Sequence, residues 1–130
     1  MSKFNNNVPI ISLYINHAPV STLVDSGATV SLININIAKH LNINPVSDVN
    51  VVSASDHVIP ILGRCQVPIA LSNDIIQLPM YVTNVLPHNY SIILGSDILK
   101  REKAIISWTN QTLKMFNHSF LFNCTDFSNK

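Results

Sequence analysis

Apolar and β-branched residues in this chain come in short runs, broken every few residues by Asn, Asp, Ser, Gly or Pro. Val8 to Ile15 is such a run, followed by the turn-forming Asn16-His-Ala-Pro19 and a second run, Val20 to Val24. Runs of this length with turn residues between them predict β-strands and hairpins rather than long helices. Val49 to Leu62 reads as a second hairpin, with the polar turn Ser53-Ala-Ser-Asp-His57 between two apolar arms. Gln66 to Leu71 and Ile75 to Val82 form a third pair around Ser72-Asn-Asp74. Ser91 to Leu94 is a short strand ending at Gly95, and Ala104 to Phe116 is a closing hairpin that turns at Thr109-Asn110-Gln111. One or two short helices are expected. Leu32, Ile33, Ile37 and Leu41 suggest one over Ser31 to Leu41, and a shorter one is placed at about Asp97 to Lys103. Short strands at regular spacing indicate a mostly β barrel or sandwich.

The 130 residues are expected to form one domain, with its core at about 8–116 and residues 117–130 as a tail or an extra edge strand. Hydrophobic residues make up 47% and charged residues only 12%, which is apolar for so small a body. Much of that surface must then be exposed or covered by a partner, and a partner is expected. The formal charge is +1 and the only basic cluster, Lys100, Arg101 and Lys103, is interrupted by Glu102. A nucleic-acid ligand, which needs a basic stripe, is not expected. No apolar run approaches the length of a membrane span and no signal-peptide pattern opens the chain, so a cytoplasmic protein with no membrane partner is expected. Cys65 and Cys124 read as reduced thiols, and three Asn-x-Ser/Thr sequons, at Asn110, Asn117 and Asn123, as chance products of an Asn-rich sequence. His17, His40, His57, His88 and His118 are scattered without ligand spacing, so neither a metal nor another cofactor is expected. No Gly-x-Ser-x-Gly elbow is present to suggest a serine hydrolase.

Chemistry concentrates in Leu23-Val-Asp-Ser-Gly-Ala-Thr29, where an acid ends an apolar strand. Aspartate is seldom buried without a partner, so Asp25 calls for an explanation. Gly27 allows a tight turn and close approach, and Ser26 supplies a small hydroxyl. The same tripeptide also serves as an ordinary strand-to-helix turn, since Asp, Ser and Gly all favour turns.

The surrounding residues go further. Val20 to Leu32 resembles the active-site loop of retroviral and retrotransposon aspartic proteases: two apolar residues, Asp-Ser/Thr-Gly-Ala, then a hydrophobic patch. Ile92-Ile-Leu-Gly-Ser-Asp-Ile-Leu99 is similar to that family's second signature, and Ala104-Ile-Ile-Ser-Trp108 through Phe116 to the closing hairpin of gypsy-type retrotransposon enzymes. The resemblance runs in order from about residue 8 to residue 116. It implies a retropepsin-type closed β-barrel, the acid protease fold at half the size of a pepsin, assembled as a two-fold symmetric homodimer. Pepsin-like chains carry two Asp-Ser/Thr-Gly loops; this chain has one, so a second chain must supply the second acid.

On that resemblance Asp25 is the catalytic residue, and Ser26, Gly27 and Gly95 support the loop. Gly27, Ala28, Thr29, Leu23, Val30, Leu32 and Ile93 are the implied substrate-binding residues, joined by Ala54, Ser55, Asp56 and His57 at the tip of a flap. The implied activity is cleavage of an element's own Gag-Pol-like polyprotein at extended, hydrophobic junctions, in the cytoplasm or a virus-like particle. Leu23, Val30, Leu32 and Ile93 are equally readable as ordinary core. Two departures stand out. Retroviral relatives commonly carry Asp where this chain has Thr29 and Arg where it has Ser96, so their charged network behind the site is missing. The flap tip also has no glycine, and a stiffer flap is expected. A domesticated, inactive protease fold serving as a dimerisation or peptide-binding module is the rival reading. A eukaryotic regulatory relative, of the kind attached to ubiquitin-like domains, is a third.

Overall fold

A computed structural model describes residues 7–46, 49, 51–52, 57–86 and 90–126. Strands β1 (Asn7–Ile15) and β2 (Ala18–Val24) form an antiparallel hairpin that closes at Ile15↔Ala18. The turn is therefore only Asn16 and His17, two residues shorter than the expected Asn16 to Pro19. Asn16 takes the left-handed backbone (φ 59°), which a short polar side chain tolerates, and Ala18 and Pro19 are freed to start β2. Along β1 Ile11, Leu13 and Ile15 point inward and Ser12 and Tyr14 outward, the period-two alternation of a sheet with one wet face.

The expected helix over Ser31 to Leu41 is corrected. Leu32–Asn34 is strand β3, and only Ile35–Ala38 is helical (α1), with the Asn34 side chain capping its start through the Asn36 amide at 2.8 Å. Ile33 is β-branched and wholly buried, and it pairs with a strand on each side, a demand that outweighs the weak helical stripe. Those neighbours are β7 (Ile75–Thr83), parallel to β3, and β8 (Ile92–Leu94), antiparallel to it. Strand β8 also runs parallel to β2, pairing Val24 with Leu94. Strand β6 (Gly63–Ala70) pairs along β7 from Gly63↔Val82 to Ala70↔Ile75. It then meets β1 at Tyr14↔Ala70, so the sheet curls back on itself.

Helix α2 (Ser96–Arg101) follows β8, close to its expected place. Strands β9 (Ile105–Ser107), β10 (Thr112–Met115) and β11 (His118–Leu121) form a small separate sheet that buries Leu113 and Met115 against the main core. Residues 118–126 thus contribute more than a loose tail. They include β11, and β12 (Asn123–Asp126) adds to the outer edge of β1. Two short arms, β4 (Val51–Val52) and β5 (Val58–Ile59), pair antiparallel where the second hairpin is expected.

The middle strands of the large sheet are covered on both faces. On one face Val24, Ile33, Ile92 and Leu94 enter the main core with Leu13, Val67, Met80 and Ile98. On the other, their neighbours Leu23, Leu32 and Ile93 join Leu86 in a second cluster. Burial on both faces makes β8 uniformly apolar, as in parallel sheets.

Candidate active site

Asp25 is the first residue past β2, and its position is set mainly by backbone. Its amide donates to the Leu94 carbonyl (2.9 Å), which continues the β2–β8 ladder by one rung, and its carbonyl accepts from the Ala28 amide (3.1 Å) to close a turn. Its carboxylate oxygen Oδ1 accepts the Gly27 amide at 3.0 Å, leaving the half-buried acid aimed along its own loop. A Cβ at position 27 would stand 3.3 Å from that oxygen, closer than most side chains tolerate, so Gly27 gives the carboxylate its room. Ser26, Gly27 and Thr29 are exposed, and Ala28 and Val30 half-buried. Ser26 also borders an open depression of about 280 Å³ with Ser96, Leu99 and Ile106.

The segment behind the loop fits it tightly. Gly95 is buried, and a Cβ there would come within 2.5 Å of the Val30 carbonyl oxygen and 2.9 Å of that of Ala28. Only glycine fits against so close a backbone. The Ser96 amide donates to the Ala28 carbonyl at 2.7 Å, and the Gly95 amide to Ser31 Oγ at 2.8 Å. Ser31 Oγ donates in turn to Asp97 Oδ1 (2.7 Å), and the Ser31 amide to Asp97 Oδ2 (3.1 Å). Neither Ser31 nor Asp97 was among the expected site residues. The available signal was a small hydroxyl directly before the apolar Leu32-Ile33 pair and an acid in the first turn of a helix.

The four expected subsite residues come together. Leu23, Leu32, Ile93 and the half-buried Val30 share the second cluster, where the first three are 1%, 3% and 6% exposed in the single chain. Around them stand residues that sequence reasoning did not single out, Leu86, Tyr81 and Tyr90, together with Val8 and Ile10 of β1. Ile59 of β5 and Ile61 lean on the same cluster, so the hairpin expected to be the flap is anchored over the face that carries Asp25's neighbours. Ala54, Ser55 and Asp56 lie outside the described residues; His57 is described and exposed.

Among the described residues no group of three His, Cys, Asp or Glu side chains is arranged to hold a metal ion. Both cysteines are free; burial pushes the Cys65 thiol above its ordinary range, while Cys124 is exposed on β12.

The retroviral protease-like domain of Ddi1 from Leishmania major has the same fold, with a TM-score of 0.68 at 24% identity over 89% of this chain and 94% of that one. The EIAV protease, solved with the inhibitor HBY-793, aligns at a TM-score of 0.51 and 18% identity over 82% of this chain and 95% of its own. No curated protein matches the sequence. The mostly β fold, with two short helices among the described residues, is therefore retropepsin-like. The family described as "gag-polyprotein putative aspartyl protease" matches residues 11–101, from β1 to the end of α2 and across both the Asp25 loop and Gly95. By that match the chain belongs to the gag-polyprotein aspartyl protease family.

Proposed function

We propose that this protein is an aspartic endopeptidase of retrotransposon or retroviral type that acts as a homodimer, each chain supplying one Asp25. The observation that carries this reading is the lone, half-buried Asp25 carboxylate, held through its own loop at Gly27 and flanked by an apolar cluster. One such acid does not suffice. Hydrolysis without a metal or a nucleophilic side chain needs one group to take a proton from water and another to give one to the substrate. Two carboxylates about 3 Å apart do not both ionise readily, so the pair holds one proton between them. The ionised Asp25 takes a proton from the water as its oxygen attacks the scissile carbonyl carbon. The protonated Asp25 gives its proton to the carbonyl oxygen. Collapse of the tetrahedral intermediate then breaks the C–N bond, with a proton delivered to the leaving amine. The two aspartates exchange roles by symmetry and titrate as a unit.

The partner's loop would approach across Ser26, whose exposed hydroxyl suits a hydrogen bond between the two loops. The exposed side chains of Ile105 (63%), on β9, and Trp108 (56%), just past it, are apolar surface of the kind a partner covers. The substrate is an extended polypeptide with hydrophobic residues at the cleaved junction, laid along the second cluster and covered by the β4–β5 hairpin. A Gag-Pol-like polyprotein, processed in the cytoplasm or a virus-like particle, fits this description.

One observation favours a second reading. The fold matches the domain from a Leishmania protein better than it matches the EIAV enzyme, 0.68 against 0.51. A cell-encoded role, either proteolytic or as a peptide-binding dimerisation module, is the alternative. The test is cleavage of peptides with hydrophobic junctions across about pH 4 to 7, with pepstatin and Asp25→Asn as controls. Cleavage abolished by both establishes the peptidase. Peptide binding without cleavage, equal in wild type and Asp25→Asn, establishes the module.

A further inference from the structure

Ser31 is a polar residue with 0% exposure, and its hydrogen-bonding groups are all engaged. Its amide donates to Asp97 Oδ2, its hydroxyl to Asp97 Oδ1, its oxygen accepts the Gly95 amide, and its carbonyl accepts the Tyr81 amide at 3.0 Å. Asp97 is exposed but engaged on both oxygens, because Oδ1 also accepts its neighbour's amide, from Ile98, at 2.8 Å. Three donors and no acceptor converge on this carboxylate. That arrangement suits an ionised acid and not an amide. Thr29 and Ser96, where the resemblance implies a charged network behind the loop, carry no charge in this chain.

We infer that Ser31 and Asp97 are a positioning pair, built within one chain, that fixes the Asp25 loop against the start of α2 and so sets the direction of the catalytic carboxylate. The inference rests on reading Asp25 as the catalytic acid. Its physical basis is the order of the bonds. Asp97 orients Ser31, Ser31 holds the Gly95 amide, and Gly95 lies between the Leu94 carbonyl that receives Asp25 and the Ser96 amide that grips Ala28. Ser31 and Gly95 are buried, so their bonds are shielded from solvent and polarise cooperatively, while Asp97 anchors the chain from the exposed start of α2; loosening that anchor is felt at the buried end.

The experiment has two arms on the full chain, using Asp97→Asn, Ser31→Ala, the double variant and Ser31→Thr. Amide hydrogen exchange comes first. In Asp97→Asn the amides of Asp25 and Ala28, which bond neither side chain of the pair, exchange about tenfold faster or more, while amides of β6 and β7 keep their protection. Loss confined to Ser31, Gly95 and Ile98, or loss everywhere, overturns the inference. Kinetics follow. Asp97→Asn and Ser31→Ala each lower kcat about tenfold to a hundredfold with KM within about twofold, as expected for a displaced catalytic group. The double variant falls no further than the worse single one, because both cut the same link. Ser31→Thr, which keeps the hydroxyl, retains kcat within about threefold. A rise in KM at unchanged kcat, or losses that multiply in the double variant, contradicts the pair. If wild type shows no Asp25-dependent turnover, the peptidase reading fails, and the exchange at Asp25 and Ala28 alone decides whether the pair holds the loop.

Discussion

The two faces of β2, β8 and β3 are built from adjacent residues of the same short segments, yet they serve different ends. Val24, Ile33 and Ile92 point into a continuous core that reaches from β1 to the β9–β11 sheet. Leu23, Leu32 and Ile93, each one residue away, point into a small cluster bounded by the Asp25 loop, the β5 arm and Leu86. The first face is enclosed by other strands and helices. The second is enclosed partly by the short β4–β5 hairpin and by Leu86, which lies past the end of β7. The lesson is that a strand's period of two separates stability from recognition within one sequence run.

The strongest way to break this picture is at the seam between the faces, Gly95. Gly95→Ala drives a methyl group into the Val30 and Ala28 carbonyls, which are backbone and have little freedom to move. A cost of about 3 kcal/mol or more is expected from such overpacking, together with loss of activity. Denaturant unfolding and a peptide-cleavage assay check it; a variant as stable and active as wild type means the loop and the β8–α2 corner do not pack as described.

The next comparison sets Ile33→Ala against Leu32→Ala. Ile33→Ala opens a void in the enclosed core and is expected to cost about 3 to 5 kcal/mol, whereas Leu32→Ala, whose surroundings have more room to collapse, costs about 2. Equal losses by denaturant titration would merge the two clusters into one. A gentler contrast uses Ile92→Val and Ile93→Val. Each removes one methylene, and about 1 kcal/mol of stability goes with Ile92 and less with Ile93. Only Ile93→Val is expected to change KM for a hydrophobic peptide, by about threefold, because its pocket faces the proposed substrate.

The smallest effect lies in the thiols. Cys65 belongs to the enclosed core and Cys124 to an exposed edge, so a thiol reagent should modify Cys124 quickly and Cys65 only on unfolding. Burial raises the folded-state pKa of Cys65 above its ordinary value of 9.0. The neutral thiol is the form the fold accepts, so its contribution is fully present below pH 9.0 and is lost as pH rises through the higher folded value. Stability measured against pH should therefore slope downward above pH 9.0 in wild type and less steeply in Cys65→Ala.

Much of this arrangement was legible in the residues. Apolar runs and turn residues located β1, β2, β6, β7 and β10 to within a few positions, and the Asp25-Ser26-Gly27 and Ile92 to Leu99 signatures marked the loop and its backing segment. The Ser31 to Leu41 segment was misread because Leu32 and Ile33 satisfy a helical stripe and a doubly buried strand equally well. Pairing with β7 and β8 decided between them, and pairing is a property of distant residues. Whether the segment after Phe116 is a tail or an extra edge strand stays open in the residues for a similar reason, since His118-Ser-Phe-Leu121 and Asn123-Cys-Thr-Asp126 have little pattern until β10 and β1 offer an edge. The Ser31–Asp97 link spans 66 positions and joins two common residue types, so no local spacing reveals it.

The central claim is that each active unit draws one Asp25 from each of two chains, and subunit mixing tests it most directly. Wild-type chain is equilibrated with a threefold excess of Asp25→Asn under conditions where dimers predominate, and cleavage is compared with wild type alone. Random exchange with inactive mixed dimers lowers activity to about one quarter, because only dimers with two intact aspartates remain competent. Activity that stays unchanged, with exchange of subunits confirmed, would mean that a single chain's Asp25 suffices and would contradict the account.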